Sequence, residues 1–183
     1  KTNGLKKVGQ DTFTAWSETT SSEMIQEGND VDIGDTNWTG EDDGGTADGW
    51  EAGAPAAFSN DEKASLINTL ASSITSGKVY KLTFTIGAHQ LNITIGGKDN
   101  NNTSGGPTTD FIAAADYAVG THSVEFTAGA THTHLWFETD NAAAGTEGQG
   151  TIDNVSLHPV STASITFDNP PVASTYTLES GYH

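Results

Sequence analysis

The sequence predicts an all-β fold, an antiparallel two-sheet sandwich with extended N- and C-terminal arms, and three observations carry the prediction. Short segments alternate apolar and polar residues with the period of two that a half-buried strand requires. They are separated by Gly-, Asn- and Ser-rich turns, and no convincing helical stretch lies between them. The third observation is the closing motif Thr151-Ile152-Asp153-Asn154-Val155-Ser156-Leu157. Val155 and Leu157 alternate as a strand should, whereas Ile152 falls on the opposite parity. Burying all three requires a one-residue slip, a β-bulge at Asp153-Asn154.

Taken in order, residues 1–27 read as an N-terminal arm in which Thr12-Phe13-Thr14-Ala15-Trp16 forms a strand. Residues 28–53 are acidic and loop-rich and carry Trp38 and Trp50. Between Lys63 and Ile74, Leu66, Ile67, Leu70 and Ile74 also fit a helical period. A strand over 64–70 is preferred, because Asn68, Thr69 and the serines after them are poor helix formers. Val79 to Ile86 turns Tyr80, Leu82, Phe84 and Ile86 one way and Lys81, Thr83 and Thr85 the other. Gln90 to Ile95 repeats the pattern, and the short Gly87-Ala88-His89 link predicts that the two form an antiparallel hairpin. A polar loop over 96–109 precedes a short strand at 111–115. Strands follow at 121–127, with Val124 and Phe126 inward, and at 134–139, with Leu135 and Phe137 inward. The domain is expected to span 28–158. Residues 159–183, with Pro170-Pro171, Tyr176 and Tyr182, form a C-terminal arm or edge strand.

Composition narrows the function classes. The chain has 183 residues, 34% of them hydrophobic, which suits a single domain with a thin core. There is no Cys, hence no disulfide framework and no thiolate chemistry. The 24 acidic residues face 7 Lys and no Arg, for a formal net charge of −17, which argues against nucleic acid as a partner. The sequence holds no apolar run near the length of about 18 residues that a membrane span needs, so no membrane insertion is expected. Residues 1–10 carry no apolar core of a secretory signal. There is no Gly-x-Ser-x-Gly, HExxH or P-loop, and the chain is expected not to be an enzyme.

Asn29, Asp30 and Trp38-Thr39, then Gly49-Trp50, then Gly77-Lys78-Val79-Tyr80-Lys81-Leu82-Thr83-Phe84-Thr85-Ile86, Gly120 to Phe126, Leu135-Trp136-Phe137 and Ile152 to Leu157 follow one another in a distinctive order. That order resembles the jelly-roll carbohydrate-binding modules of the galactose-binding-domain-like group, over about residues 28–157. Modules of this pattern also occur in phage structural and tail proteins. The resemblance implies a jelly-roll β-sandwich and a structural Ca²⁺ tying the closing strand to the N-terminal segment. Asp153 matches the family's aspartate, with Asp30 or Asp32 the nearest other carboxylates. The alternative for Asp153 is that it hydrogen-bonds the bulge backbone.

His132, His134, Trp136 and Glu138 share one parity, opposite Leu135 and Phe137. With Asn92, Thr83 and neighbouring outward residues they form the candidate glycan surface, an indole to pack on a sugar ring beside groups that read its hydroxyls. The competing reading has Trp136 covered by an arm or a partner. His132 and His134 alone are too few ligands for zinc. Two functions are expected to compete. The first is a non-catalytic virion structural or decoration protein at the virion surface, with other virion subunits or copies of itself as partners and a cell-surface glycan as a further contact. The second is a secreted, extracellular glycan-binding module of a polysaccharide-active enzyme.

Overall fold

A computed structural model describes residues 13–17, 21–28, 30–33, 35–41, 49–51, 54–59, 63–140, 150–160 and 164–167. Its strands are β1 (Phe13–Ser17), β2 (Trp38–Gly40), β3 (Gly49–Glu51), β4 (Ala56–Ser59), β5 (Lys63–Ile74) and β6 (Val79–Gly87). They continue as β7 (Leu91–Lys98), β8 (Thr109–Tyr117), β9 (Gly120–Thr127), β10 (His132–Asp140), β11 (Gly150–Pro159) and β12 (Ser164–Phe167). No helix occurs among the described residues.

Two compact units result. One comprises Lys1–Thr20 with Ser161–His183, and in it β1 pairs antiparallel with β12, from Phe13 opposite Phe167 to Ser17 opposite Ser164. The other, Ser21–Val160, is a sandwich of two five-stranded antiparallel sheets, ordered β2-β5-β10-β7-β8 and β3-β4-β11-β6-β9. The sandwich begins at Ser21 rather than Gly28, because Met24 and Ile25 are buried in its core. Asn29 and the expected Tyr176 and Tyr182 of the C-terminal arm lie outside the described residues.

The alternation read from sequence fills the space between the sheets. Phe84 meets Tyr117 edge-on at 5.0 Å and Phe137 at 6.0 Å, and Phe137 stacks on Trp38 at 6.5 Å. Such offset and edge-on pairs add to the simple burial of ring area. The ambiguous segment at 63–74 is a strand throughout, held between β2 and β10.

The expected hairpin of β6 and β7 is not formed. β6 lies between β11 and β9, and β7 between β10 and β8, so the link at 87–90 carries the chain from one sheet to the other. Ala88 takes a positive φ of 63° there, and the His89 N–H donates to the Gly87 carbonyl at 2.9 Å. Identical alternation in two successive strands says which face is buried, but not which neighbour each strand takes.

The bulge in the closing motif is present. Asp153 pairs with Thr85 and Ser156 with Thr83, so three steps along β11 match two along β6. Asn154, the extra residue, sits at φ 50°, a left-handed conformation that Asn tolerates better than most residues. The slip buries Ile152, Val155 and Leu157 together. It also frees the Val155 N–H to donate to the Gly28 carbonyl at 2.7 Å. A Cβ on Gly28 would fall on the Val155 carbonyl oxygen, so only glycine allows this approach.

Glu23 fastens the same junction. Its Oε1 accepts the N–H groups of Met24, Ile25 and Leu157, each at 2.9 Å, and its Oε2 accepts the Ser156 hydroxyl and lies 3.0 Å from His158 Nε2. Burial raises the pKa of this carboxyl. The bonds from Ser156, Ile25 and Leu157 and the neighbouring His158 outweigh burial and hold it below the ordinary 4.5. A carboxyl whose folded pKa is depressed adds stability at pH above its unfolded value and loses it as pH falls through the folded one. Glu23→Gln should therefore lower unfolding free energy by about 1 kcal/mol at neutral pH, a value discounted for partial exposure. The gap to the native chain should close in urea titrations below about pH 4.5. A gap that stays constant into acid would show that the charge does not matter.

Candidate functional site

The outer face of the β2-β5-β10-β7-β8 sheet carries most of the residues expected to bind a ligand, but the surface is arranged differently from the expectation. Across its middle, Trp136 of β10 stands opposite Ile67 of β5 on one side and Gly96 of β7 on the other, and Gly96 faces Asp110 of β8. A glycine in this row leaves a gap. The polar segment 99–108, joining β7 to β8, folds back into it as a strap. A Cβ on Gly96 would collide with the Pro107 ring and the Thr109 carbonyl, so the missing side chain is what admits the strap.

Trp136 is consequently 0% exposed. The Lys98 ammonium lies 4.3 Å from its ring centroid and donates to the carbonyls of Asn102, at 2.9 Å, and Ser104, at 2.8 Å. This pins the strap over the indole by a cation–π contact and two charge-assisted bonds. The expectation that Trp136 offers a flat platform to a sugar is corrected: the Lys98 ammonium and the strap it holds lie over its buried ring.

His132 is corrected likewise. It is 4% exposed, with Nδ1 3.1 Å from Asp99 Oδ1 and Nε2 2.9 Å from Thr109 Oγ1. One imidazole thus joins the two ends of the strap. The row Asp99-His132-Thr109 has the connectivity of a hydrolytic triad, yet the imidazole is enclosed by Gly97 and Phe111, and no cleft among those described opens on it. Its chemistry is that of a clasp. His134 is half-buried and bonded through Nδ1 to the Thr133 hydroxyl at 2.8 Å, and burial lowers its pKa below 6.5.

Asn92 shares the outer face but is engaged with Asp116 at 2.7 Å, away from the strap. Thr83, with Lys81 and Thr85, lies on β6 in the opposite sheet, so it cannot join a surface centred on β10. That error follows from the hairpin expectation.

Glu138 does reach a cleft. An open depression of about 400 Å³ is lined by Glu41, Lys63, Ser65, Thr103, Gly105, Gly106, Pro107, Asp110 and Glu138. Its floor is the β5–β10 register, where Ser65 pairs with Glu138, and its wall is the strap. Lys63 Nζ is 2.6 Å from Glu138 Oε1. Gly106, at φ 68°, brings the strap backbone against the Glu138 carboxylate, where a Cβ would collide. Sequence reading missed Ser65, Lys63 and Asp110. The parity of Ser65 opposite Leu66 was legible, but its pairing with Glu138, across 73 residues of chain, was not.

The carboxylates expected to hold Ca²⁺ sit at the β11 bulge. Asp153 Oδ1 accepts the Val31 N–H at 3.5 Å and Oδ2 accepts the Asn154 amide at 3.2 Å, while Asp30 is exposed and Asp32 half-buried. Among the described residues no three His, Asp or Glu groups gather as a metal site requires. Asp153 thus links the bulge to the Val31 backbone and to the neighbouring Asn154 side chain.

No protein-family model matches this chain, and no curated protein matches it. In fold it is similar to the arabinose-bound MgGH51 α-L-arabinofuranosidase, with TM-score 0.50 and 14% identity over 75% of this chain and 26% of that one. It is also similar to a family 11 carbohydrate-binding module from Clostridium thermocellum solved with a β-1,3-1,4-mixed-linked tetrasaccharide, with TM-score 0.42 and 14% identity over 76% and 96% of the two chains. A third likeness is to the bacteriophage CBA120 tailspike protein 4, with TM-score 0.45 and 13% identity over 75% and 21%. The chain thus spans about a quarter of the arabinofuranosidase and about a fifth of the tailspike domain. The sheet topology and the likeness to the arabinofuranosidase establish a jelly-roll β-sandwich fold.

Proposed function

We propose that this chain is a non-catalytic glycan-binding sandwich whose ligand lies in the cleft between the strap and β5. The observation that carries the reading is the cleft itself: about 400 Å³, open, and lined by carboxylates, an ammonium, hydroxyls and strap backbone. That size suits one or two sugar rings, and those groups accept from and donate to sugar hydroxyls. Among the described residues no aromatic side chain lines the cleft, so recognition rests on hydrogen bonds to hydroxyl edges rather than on ring stacking. The setting is a module attached to or working beside polysaccharide-active enzymes in the extracellular space.

Calorimetric titration against an oligosaccharide panel tests the reading. Ser65→Val, which removes one hydroxyl, should weaken binding by about 2–10-fold. Thr83→Val on the opposite sheet should leave it unchanged. Equal effects at the two positions, or no binding to any glycan, would reject it.

A second reading, a structural or decoration subunit at a virion surface, is favoured by the β1–β12 ribbon. Each of its strands has one partner among the described residues, and an edge so presented is a template for strands of other subunits or of a second copy. On this reading light scattering finds the full chain as a closed oligomer at micromolar concentration. A monomer across the concentration range would exclude self-assembly through the ribbon.

A further inference from the structure

We propose that a second copy of this chain pairs with the free edge of β9, antiparallel and about a two-fold axis at Val124. The sheet β3-β4-β11-β6-β9 then continues into its partner. The contact belongs to the sandwich and is separate from the β1–β12 ribbon.

The first observation is that one edge of the sandwich differs from the others. Among the described residues the two sheets end in β2, β8, β3 and β9. β2 and β3 have three residues each, and so short an edge is a poor template for a partner strand. β8 has nine, but its register against β7 slips twice, between Ala115 and Ile112 and between Ile112 and Asp110. Bulges bend an edge away from flat pairing. A two-fold pairing of β8 about Ala113 would also set Asp110 against Asp116. β9 has no such protection. Its eight residues keep one unbroken register with β6, from Gly120 opposite Ile86 to Thr127 opposite Val79, with no proline, lysine or bulge.

The second observation is that β9 complements a copy of itself. Thr121, Ser123, Glu125 and Thr127 are exposed on its outer side, while His122 and Val124 are half-buried on the inner side. Val124 packs against the core with part of its side chain still open. A partner strand has to keep outer residues on the outer side, which restricts the register to even steps. An axis at Glu125 would put two carboxylates together, and one at Ser123 would leave Val124 facing an imidazole. An axis at Val124 sets Val124 against its copy, His122 against Phe126, Thr121 against Thr127 and Glu125 against Ser123. Glu125, the one carboxylate on the strand, then lies between Lys81 of its own β6 and a hydroxyl of the other copy, with no like charge opposite. The two half-buried valines shield each other from water. Such an axis leaves the cleft of each copy open and facing the same way, which suits a ligand with repeated units. The pairing itself does not depend on what the cleft binds.

Sedimentation equilibrium of the full chain tests the pairing. The native chain should dimerise at micromolar concentration, and more tightly as salt is raised, because two chains of net charge −17 repel and screening relieves them. Ser123→Glu sets like charges opposite each other at both symmetric positions and should weaken the dimer about tenfold. Ser123→Lys should tighten it by a similar factor. The chain has no cysteine, so a single introduced thiol reports the register. Val124→Cys should form an inter-chain disulfide under mild oxidation, since directly opposed positions on antiparallel strands bring Cα atoms to about 4.5–5.5 Å. Ala113→Cys, exposed on β8, should not. A chain that stays monomeric, a dimer indifferent to both Ser123 changes (as a contact through the ribbon would give), or equal cross-linking at 113 and 124 would overturn the inference. Should Val124→Cys fail to fold, the two changes at the exposed Ser123 still decide it.

Discussion

The clasp at His132 joins Asp99, where the strap leaves β7, to Thr109, where it enters β8, and the candidate site depends on that closure. The ten residues 99–108, eight of them Asn, Ser, Thr or Gly, have little apolar surface of their own to hold them down. Two bonds to one buried imidazole fix the ends, and the Lys98 ammonium fixes the middle against Trp136. The strap then serves both as cover for an indole and as wall for a cleft. Without Gly96 beneath Pro107 it would have no seat, and the outer face would present the Trp136 indole instead of a polar depression.

A second junction closes the sandwich. Glu23, Gly28 and the bulged strand β11 are stitched by a carboxylate that accepts four hydrogen bonds, by a backbone bond from Val155, and by Asp153 reaching Val31. The bonds to Ser156, Leu157 and Val31 span sequence separations above 120 residues. The two junctions lie on different sheets, so closing the sandwich and shaping the cleft are separate tasks of this sequence.

The fold was largely legible because the period of two survives in β6, β7, β9 and β10, and because Ile152 falling out of parity forces a bulge whatever the neighbouring strands are. The pairing of β6 with β7 was misread, since a short link is equally able to turn a hairpin or to cross between sheets. The candidate site was legible only in part. Parity placed His134, Trp136 and Glu138 on the outer face correctly, but a register slip between His132 and His134 turns His132 to the inner face beside Gly97 and Phe111, and parity is silent on what lies over a face. The strap was recognisable as a polar loop. That it folds onto Gly96 follows from a glycine and a proline meeting in three dimensions, and Ser65 and Asp110 came into view only with the register of β5 and β8.

The central claim is that ligand recognition belongs to the cleft beside the strap. Amide chemical-shift mapping during titration with an oligosaccharide reads this residue by residue. The account predicts that Ser65, Gly105, Gly106, Asp110 and Glu138 shift together and saturably, while Lys81, Thr83 and Thr85 on the opposite sheet stay still. Shifts centred on Thr83, or a bound glycan that leaves the strap and Ser65 unmoved, would contradict it.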